Sequence, residues 1–404
     1  MSDVRPLVGV RILDLTWVGA GPFCTKVLAD FGAEVVKVES ARRPDQLRKA
    51  EPLVGSRGIE ESGYFANRNA GKLSVSVDLK HPEARGVVLA MAARSDVVIN
   101  SFSFGVMERL GLEYEDMKSA RPDIICLSMP LAGRDGPYRD FVGYGMNIAA
   151  LVGLMAMGAL PARWPVGTGT NFPDHLPNPL HAAFAILAAL AYRRRTGLGQ
   201  EIVLSQIEST LAPFADDILE WGANGNVPSG AHDDPQAAPH GLFPCRGEDR
   251  WIALSVPGNA AFERFCRVIE RPDLATDPRF ADHPARRAQA AELDAIISQW
   301  SRRHEPRAAV ELLQAAGIAA GVVQNAADLV DHDPHLAARG FWQRLDHPVM
   351  GKTLYHGVPA RIEGMDSSYR SSAPLLGQHN DELPRLSGLS RERIAELKNG
   401  GALR

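Results

Sequence analysis

An acid and an imidazole stand next to each other near the middle of the chain. They are Asp174 and His175, in the segment TGTNFPDHLPNP. An alanine-rich segment follows, and its composition and spacing predict a helix over 181–194. The amides and the positive dipole end at the start of such a helix stabilise an anion, so a carboxylate at Asp174 would stay ionised and nucleophilic. The structural alternative is that Asp174 is an ordinary helix cap.

The composition is that of a folded protein long enough for more than one domain. The chain has 404 residues, of which 45% are hydrophobic and 23% charged, with a formal net charge of -4. This balance favours neither nucleic acid nor a membrane as a partner, so an anionic ligand needs local cations. No signal-type start and no membrane-spanning run is apparent, which predicts a cytoplasmic protein. The histidines and cysteines show no metal-ligand spacing, so we expect no metal.

The first half of the chain alternates between strand-like and helix-like segments. Branched residues predict strands over 9–16, 34–39, 96–100 and 123–128. Helical patterns separate these strands, and such alternation is typical of a parallel sheet with helices on its faces. The sequence therefore predicts an α/β fold with a parallel, mostly buried sheet.

A change of composition marks the expected domain boundary. A helical pattern over 206–221 is followed by a stretch rich in Pro and Gly over 224–239, which indicates a linker or loop. Hairpin and helix signals follow it, as expected for a small α+β module. We expect the first domain over 1–223, the linker and small domain over 224–328, and a C-terminal segment over 329–404.

The glycine turn after the first predicted strand permits a different function. Gly19 and Gly21, with Glu39 at the end of the second strand, resemble a dinucleotide-binding fingerprint. The third glycine of that fingerprint is missing, because position 24 is Cys24, and Pro22 lacks an amide that would bind pyrophosphate. An NAD-dependent dehydrogenase is therefore the more remote alternative.

Several segments resemble the class III CoA-transferase family, also called the formyl-CoA transferase or CaiB/BaiF family. In chain order they include GVRILDLTWVGAGPFCTKVLADFGAEVVKVES, NAGKLSVSVDLKHPEAR, RRRTGLGQ and PHGLFPCRGEDRWIALSV. The resemblance spans nearly the whole chain. The segments RPD at 43–45 and PHG at 239–241 are most similar to the branch that includes succinyl-CoA:benzylsuccinate CoA-transferases.

This resemblance implies a transferase that moves CoA from an acyl-CoA donor, such as succinyl-CoA, to a carboxylic acid. In the family an aspartate attacks the thioester, forming an acyl-aspartyl anhydride and then an aspartyl-CoA thioester. CoA and acyl-CoA are substrates, and no cofactor is bound permanently. The resemblance also implies a Rossmann-like large domain to which the C-terminal segment returns, with a smaller domain between the two parts. It further implies that two subunits interlock, as a homodimer or with a homologous subunit.

Asp174 is the candidate nucleophile, although its register departs from the family pattern. The family's aspartate usually stands one residue closer to the following ILAAL run, so counting back from Ile186 reaches His175. We favour a one-residue insertion among the following prolines, because loops accommodate insertions easily. If His175 holds the position, the chain is a non-catalytic subunit of a heteromeric transferase or an acyl-CoA racemase-like enzyme. The family's racemases, however, carry His-Asp where this chain has Tyr144-Gly145.

CoA contacts are implied at further positions. The family's turn after the first strand is matched by Val18, Gly19 and Ala20, and its cations near the CoA phosphates are matched by Lys80 and Arg109. Its other site side chains correspond to Ser101, Phe102 and Tyr144. Gly19 departs from members with a polar side chain there, and Ser101 replaces an asparagine. Loops around 156–166 and 224–239 are expected to select the acceptor acid.

Overall fold

The structure, a computed structural model, describes residues 5–55, 58–158, 167–227, 234 and 236–404. These residues divide into two units. The first unit contains the described residues up to 227 together with those from 337 to 404, and the second contains those from 234 to 336. Parts of the two loops expected to select the acceptor, at 159–166, 228–233 and 235, lie outside the described residues.

A parallel sheet forms the centre of the first unit. Its strands are β1 (Arg11–Asp14), β2 (Glu34–Glu39), β3 (Leu73–Ser76), β4 (Val97–Asn100), β5 (Ile125–Ser128) and β6 (Glu201–Val203). They lie in the order β3-β2-β1-β4-β5-β6, and every neighbouring pair is parallel. The predicted α/β class with a Rossmann-like sheet is confirmed. The order reverses between β1 and β4, and open parallel sheets bind their ligands at such a switch point.

Helices connect these strands and continue through the chain. Before the second unit they are α1 (Ala20–Asp30), α2 (Gly63–Asn69), α3 (Ala84–Ala92), α4 (Val106–Arg109), α5 (Tyr114–Ala120), α6 (Gly145–Leu151), α7 (Leu154–Met157), α8 (Phe172–His175), α9 (Pro177–Thr196), α10 (Gln206–Leu211) and α11 (Ala215–Asn224). Those that follow are α12 (Gly258–Val268), α13 (His283–Ala288), α14 (Ala290–Ser301), α15 (Pro306–Ala315), α16 (Pro334–Ala338), α17 (Leu383–Ser387) and α18 (Arg391–Asn399). Single 3₁₀ or π turns lie at Gln46–Lys49, Ala212–Phe214, Pro272–Ala275, Pro278–Phe280, Asp328–His332 and Asn380–Glu382.

Successive strand residues face opposite layers of helices, because side chains alternate along a strand. Ile12 and Val35 belong to the buried cluster that includes residues of α1 and α9. Their neighbours Leu13 and Val36 belong to the cluster formed with α3, α17 and α18. The sheet is thus buried on both faces, which explains why its strands are runs of branched residues without polar alternation.

The C-terminal part of the chain contacts the β3 edge of the same sheet. Ser76 N–H donates to Asn380 Oδ1 at 2.9 Å, and Val77 forms an isolated antiparallel bridge with Leu403. The same part contains an antiparallel hairpin, made by β10 (Trp342–His347) and β11 (Gly351–His356). Residues far apart in the sequence therefore complete the first unit.

The second unit combines a small antiparallel sheet with helices. Its strands β7 (Ala237–Pro244), β8 (Trp251–Pro257) and β9 (Ala319–Val323) pair in that order. Phe265 of α12, Trp300 of α14 and Leu313 of α15 are buried in one cluster with this sheet. None of the helices in the described ranges has the length and apolar character that crossing a bilayer requires.

Two predicted helices differ from the observed ones. The helix predicted over 181–194 begins earlier, at Pro177, since Pro177 and Pro179 occupy its first turn, where a missing amide costs no hydrogen bond. The helix predicted over 206–221 is interrupted at Ala212–Phe214, where Pro213 separates α10 from α11. Neither change alters the sheet.

Candidate active site

The turn that follows β1 is held by side chains from other loops. Trp17 N–H donates to Ser101 Oγ at 3.0 Å, and Val18 N–H donates to Asp45 Oδ1 at 3.1 Å. Asp45 is in turn bound by Lys37 Nζ at 3.0 Å, and the side chains of this pair are fully buried. Val18 has a φ of 66°, which is unfavourable for a branched residue and persists only where neighbours enforce it. The turn is therefore a fixed element at the switch point of the sheet.

Asp174 lies directly against this turn. A Cβ added to Gly19 would be 2.7 Å from the Cβ, Cγ and Oδ2 atoms of Asp174, so only glycine leaves room for the carboxylate. A Cβ added to Gly145 would be 2.8 Å from Asp174 Oδ2, and the Gly145 N–H donates a hydrogen bond to the same carboxylate. Asp174 is 6% exposed. Two glycines thus allow backbone to pack against a carboxylate that is largely shielded from water.

The surroundings of Asp174 raise the pKa of its carboxylate. Burial raises the pKa of Asp174 to about 6, although the Gly145 amide and the Arg68 guanidinium act in the opposite direction. At neutral pH the carboxylate is ionised, yet few water molecules solvate it. A desolvated carboxylate with a raised pKa is a stronger nucleophile and base than a hydrated one.

The amide that contacts Asp174 differs from the one expected. Asp174 lies within α8, and the longer helix α9 begins after it with Pro177, which has no N–H to donate. The donor is instead Gly145, the first residue of α6. The structure therefore assigns to α6 the stabilising contact that the sequence placed at the start of the alanine-rich helix.

His175 is held between two hydroxyl groups. Its Nε2 is 2.8 Å from the Tyr64 hydroxyl and its Nδ1 is 2.8 Å from Thr170 Oγ1. Burial, together with the nearby Arg68 cation, lowers the pKa of His175 to about 4. The ring is therefore neutral at physiological pH, with one nitrogen donating and the other accepting. Both ring nitrogens are thus hydrogen-bonded, and neither is free for proton transfer in this arrangement.

Three other residues predicted to contact CoA lie near the turn after β1 or at the start of α6. Ala20 is buried in the first turn of α1. Phe102 packs edge-on against Trp17, with the ring centroids 6.2 Å apart. Tyr144 is half-exposed and directly precedes Gly145, and its hydroxyl donates to Gln46 Oε1 at 3.3 Å. These residues therefore surround or support the backbone that contacts Asp174.

The two cations assigned to CoA phosphates are exposed. Lys80 follows a turn in which its N–H donates to Asp78 Oδ1 at 3.2 Å, and Arg109 ends the short helix α4. Among the described residues neither cation has a carboxylate within ion-pair distance. Both are thus available to an anion, and their contact with CoA remains a prediction.

Asp45, Tyr64 and Arg68 also belong to this site, and sequence reasoning did not assign them a role. Tyr64 and Arg68 stand four residues apart on α2, the spacing that places two side chains on one face of a helix. This spacing is the signal from which the sequence could have placed Tyr64 and Arg68 together. Asp45 gave no signal of a role in the site, because Val18 and Lys37, which its carboxylate binds, come from other segments.

In the structure, the acidic residue that a dinucleotide site would require is not available to bind a ligand. Glu39 is 1% exposed, and its two carboxylate oxygens accept from Arg48 at 2.7 and 2.8 Å. A carboxylate engaged in this way cannot also bind a ribose. In the part of the chain that the structure describes, no three His, Cys, Asp or Glu side chains converge as metal ligands would.

Fold and site together define a Rossmann-like α/β enzyme with a shielded carboxylate at the switch point of its sheet. The model of CoA-transferase family III matches residues 7–380, so the chain belongs to that family and is a CoA-transferase. The resemblance to the class III CoA-transferase family is confirmed.

Named relatives agree over nearly the whole chain. It is similar to succinyl-CoA--D-citramalate CoA-transferase of Chloroflexus aurantiacus, at 32% identity over 396 residues that cover 98% of this chain and 97% of that protein. It is similar to the succinyl-CoA--L-malate CoA-transferase beta subunit of the same organism, at 31% identity over 98% of both chains. A solved CAIB/BAIF family protein from Brucella suis superposes with a TM-score of 0.86 at 29% identity, covering 94% of this chain and 99% of that one.

Proposed function

We propose that this CoA-transferase moves CoA from an acyl-CoA donor, with succinyl-CoA as the leading candidate, to a carboxylic acid through a covalent intermediate on Asp174. The observation that carries the proposal is the position of Asp174 between Gly19 and Gly145. Two relatives named for succinyl-CoA support the choice of donor. The same geometry favours the one-residue insertion, since the side chain against the turn is that of Asp174.

The proposed reaction uses the carboxylate as both nucleophile and leaving group. Asp174 attacks the thioester carbon, which forms an acyl-aspartyl anhydride and releases CoA as a thiolate. The thiolate attacks the aspartyl carbonyl, so the donor acid leaves and an aspartyl-CoA thioester forms. The acceptor carboxylate then attacks this thioester, which forms a second acyl-aspartyl anhydride and releases the thiolate. The thiolate attacks the acceptor carbonyl of that anhydride, so the product thioester forms and the Asp174 carboxylate leaves. No step consumes water, which suits a shielded carboxylate.

We further propose that the active species is a dimer, formed with a second copy or with a homologous subunit. Leu180, Phe184 and Leu187 lie on one face of α9 and are exposed, Phe184 to 72%. The opposite face, with Ala182 and Ile186, is buried in the core. A helix that is apolar on both sides is typical of a buried element, and an exposed apolar face of this kind is typical of a protein interface. The relative named as a beta subunit supports the heteromeric form.

Isotope exchange tests the proposed activity. Purified protein is incubated with acyl-CoA and the corresponding labelled acid, using succinyl-CoA first and then a panel of other pairs. We expect label to enter the CoA thioester with ping-pong kinetics. Light scattering of the same sample should give the mass of a dimer. Exchange only after a second gene product is added would identify a heteromer. No exchange under either condition would refute the transferase proposal.

The pH dependence tests which group must be ionised. Because burial raises the pKa of Asp174 to about 6 and the ionised form is the nucleophile, activity should fall as the pH decreases through about 6. Below that point we expect about a tenfold loss of kcat/KM for each pH unit. The donor half-reaction is the measurement of choice, since it contains no acceptor acid to titrate. A midpoint near 4, or a profile that rises towards acid, would contradict the assignment.

A further inference from the structure

Arg68 of α2 is a cation in the active site without an anionic partner of its own. Its guanidinium carbon lies 4.2 Å from the centre of the Phe23 ring and 5.5 Å from that of Tyr64. Its Nη1 donates to Asn67 Oδ1 at 2.8 Å. Its Nε is buried and has no acceptor, and no described carboxylate lies within ion-pair distance of it.

This arrangement is costly for a charged group. A guanidinium that is removed from water without a carboxylate loses hydration that aromatic faces restore only in part. In the free enzyme Arg68 has a side-chain hydrogen bond with the neutral Tyr64, and the carboxylate whose charge favours its ionised form is that of Asp174. The charges of Arg68 and Asp174 therefore offset each other only while Asp174 is ionised.

The covalent step removes that balance. When Asp174 forms the acyl-aspartyl anhydride, its negative charge passes to the released CoA thiolate, whereas the Arg68 cation remains beside the acyl group. A second carboxylate on the substrate would restore an anion at the moment when the enzyme loses its own. A monocarboxylic substrate brings no such group and would leave Arg68 uncompensated.

We propose that Arg68 is a specificity residue that binds the second carboxylate of the acyl group, so that the enzyme prefers dicarboxylic over monocarboxylic acids. The inference rests on the proposed transfer through Asp174. A guanidinium suits this task, because its planar donors pair with a carboxylate in a fixed geometry. Contact with the Phe23 ring and the hydrogen bond with Tyr64 fix the orientation of those donors before substrate binds.

The test compares matched acids in the wild-type protein and in Arg68→Gln. Exchange is measured for succinyl-CoA with succinate against butyryl-CoA with butyrate, and for glutaryl-CoA with glutarate against valeryl-CoA with valerate. The readout is the ratio of kcat/KM within each pair, so any effect of Arg68 on Asp174 cancels. We expect the wild type to favour the dicarboxylate and Arg68→Gln to reduce the ratio by about 10- to 100-fold, mostly through KM. Arg68→Lys, which keeps the charge, should restore part of the preference.

Arg85→Gln is the matched control, because Arg85 is an exposed arginine of the same unit paired with Asp116. In Arg85→Gln the ratio of kcat/KM for the dicarboxylate over the monocarboxylate should equal that of the wild type. A wild-type preference for monocarboxylates, or equal losses for both acids in Arg68→Gln, would overturn this inference while exchange itself still supported the transferase. Absence of exchange for every pair would refute the proposed function and the inference with it.

Discussion

Asp174→Asn is expected to abolish CoA transfer, with a loss on the order of 10⁴-fold or more. The amide is almost the same size as the carboxylate, so it fits between Gly19 and Gly145 without a steric change. It has no ionised oxygen to attack a thioester, and no acyl link can form. Initial rates of isotope exchange, measured with enough protein to detect residual activity, give the size of the loss.

The stability of the same variant separates lost chemistry from lost folding. Because the folded protein raises the pKa of Asp174 to about 6, it holds the ionised form less well than the unfolded chain does. That cost is present above pH 6 and disappears as the pH falls below the unfolded pKa. Asp174→Asn removes it, so at pH 8 the variant should be more stable, by up to about 3 kcal/mol. An inactive variant that is also less stable would point to misfolding.

His175→Asn is the matched control at the neighbouring position. It removes the hydrogen bonds to Tyr64 and Thr170 but leaves the Asp174 carboxylate in place. We expect a loss of about tenfold, because the residue orients the site and does not react. The reverse pattern, in which Asp174→Asn keeps exchange and His175→Asn abolishes it, would show that the imidazole holds the catalytic position.

Lys72→Met is expected to destabilise the first unit by about 3–5 kcal/mol, the cost of leaving a buried charge without its partner. Lys72 Nζ binds Asp14 Oδ2 at 3.1 Å, Pro22 O at 2.8 Å and Asn69 Oδ1 at 2.9 Å, and both charged side chains are fully buried. Burial alone would raise the pKa of Asp14, but the ammonium groups of Lys72 and Lys37 lower it below its usual range. Lys72 thus joins the end of β1 to the starts of α1 and β3.

The shift of the denaturant midpoint in chemical unfolding measures this loss. Lys118→Met is the matched control, since Lys118 is exposed and lies 3.8 Å from the exposed Glu115. Its cost should stay below about 1 kcal/mol. Adding Asp14→Asn to Lys72→Met should cost less than the sum of the two single changes, because both remove the same pair. Equal costs for Lys72→Met and Lys118→Met would contradict a supporting role for the buried pair.

The sheet was predictable because its signal is local. Branched runs buried on both faces are characteristic of parallel strands, and the interval predicted for β2 coincides with Glu34–Glu39. Strand β1 is shorter than predicted, at Arg11–Asp14, since the residues after Asp14 form the turn of the site. Helix boundaries were less predictable. The predicted helix began at 181, after the prolines, whereas Pro177 and Pro179 lie in the first turn of α9, a position that proline favours.

The site was predictable only in part, because its decisive contacts join distant segments. Counting along the chain could not choose between Asp174 and His175, since it does not reveal which side chain lies against Gly19. The buried pairs were also invisible, because a lysine in a sequence is normally expected at the surface. Lys72 and Asp14 are 58 positions apart, and only the folded sheet brings them together.

Mass spectrometry of the Asp174 peptide during turnover tests the central claim most directly. The wild-type protein is incubated with succinyl-CoA in the absence of acceptor, quenched in acid and digested, and a parallel sample is trapped with hydroxylamine. We expect a CoA thioester on Asp174 in the first sample and a hydroxamate at the same residue in the second, with neither in Asp174→Asn. Exchange that proceeds at full rate while Asp174 stays unmodified, or an adduct on another residue, would contradict the account.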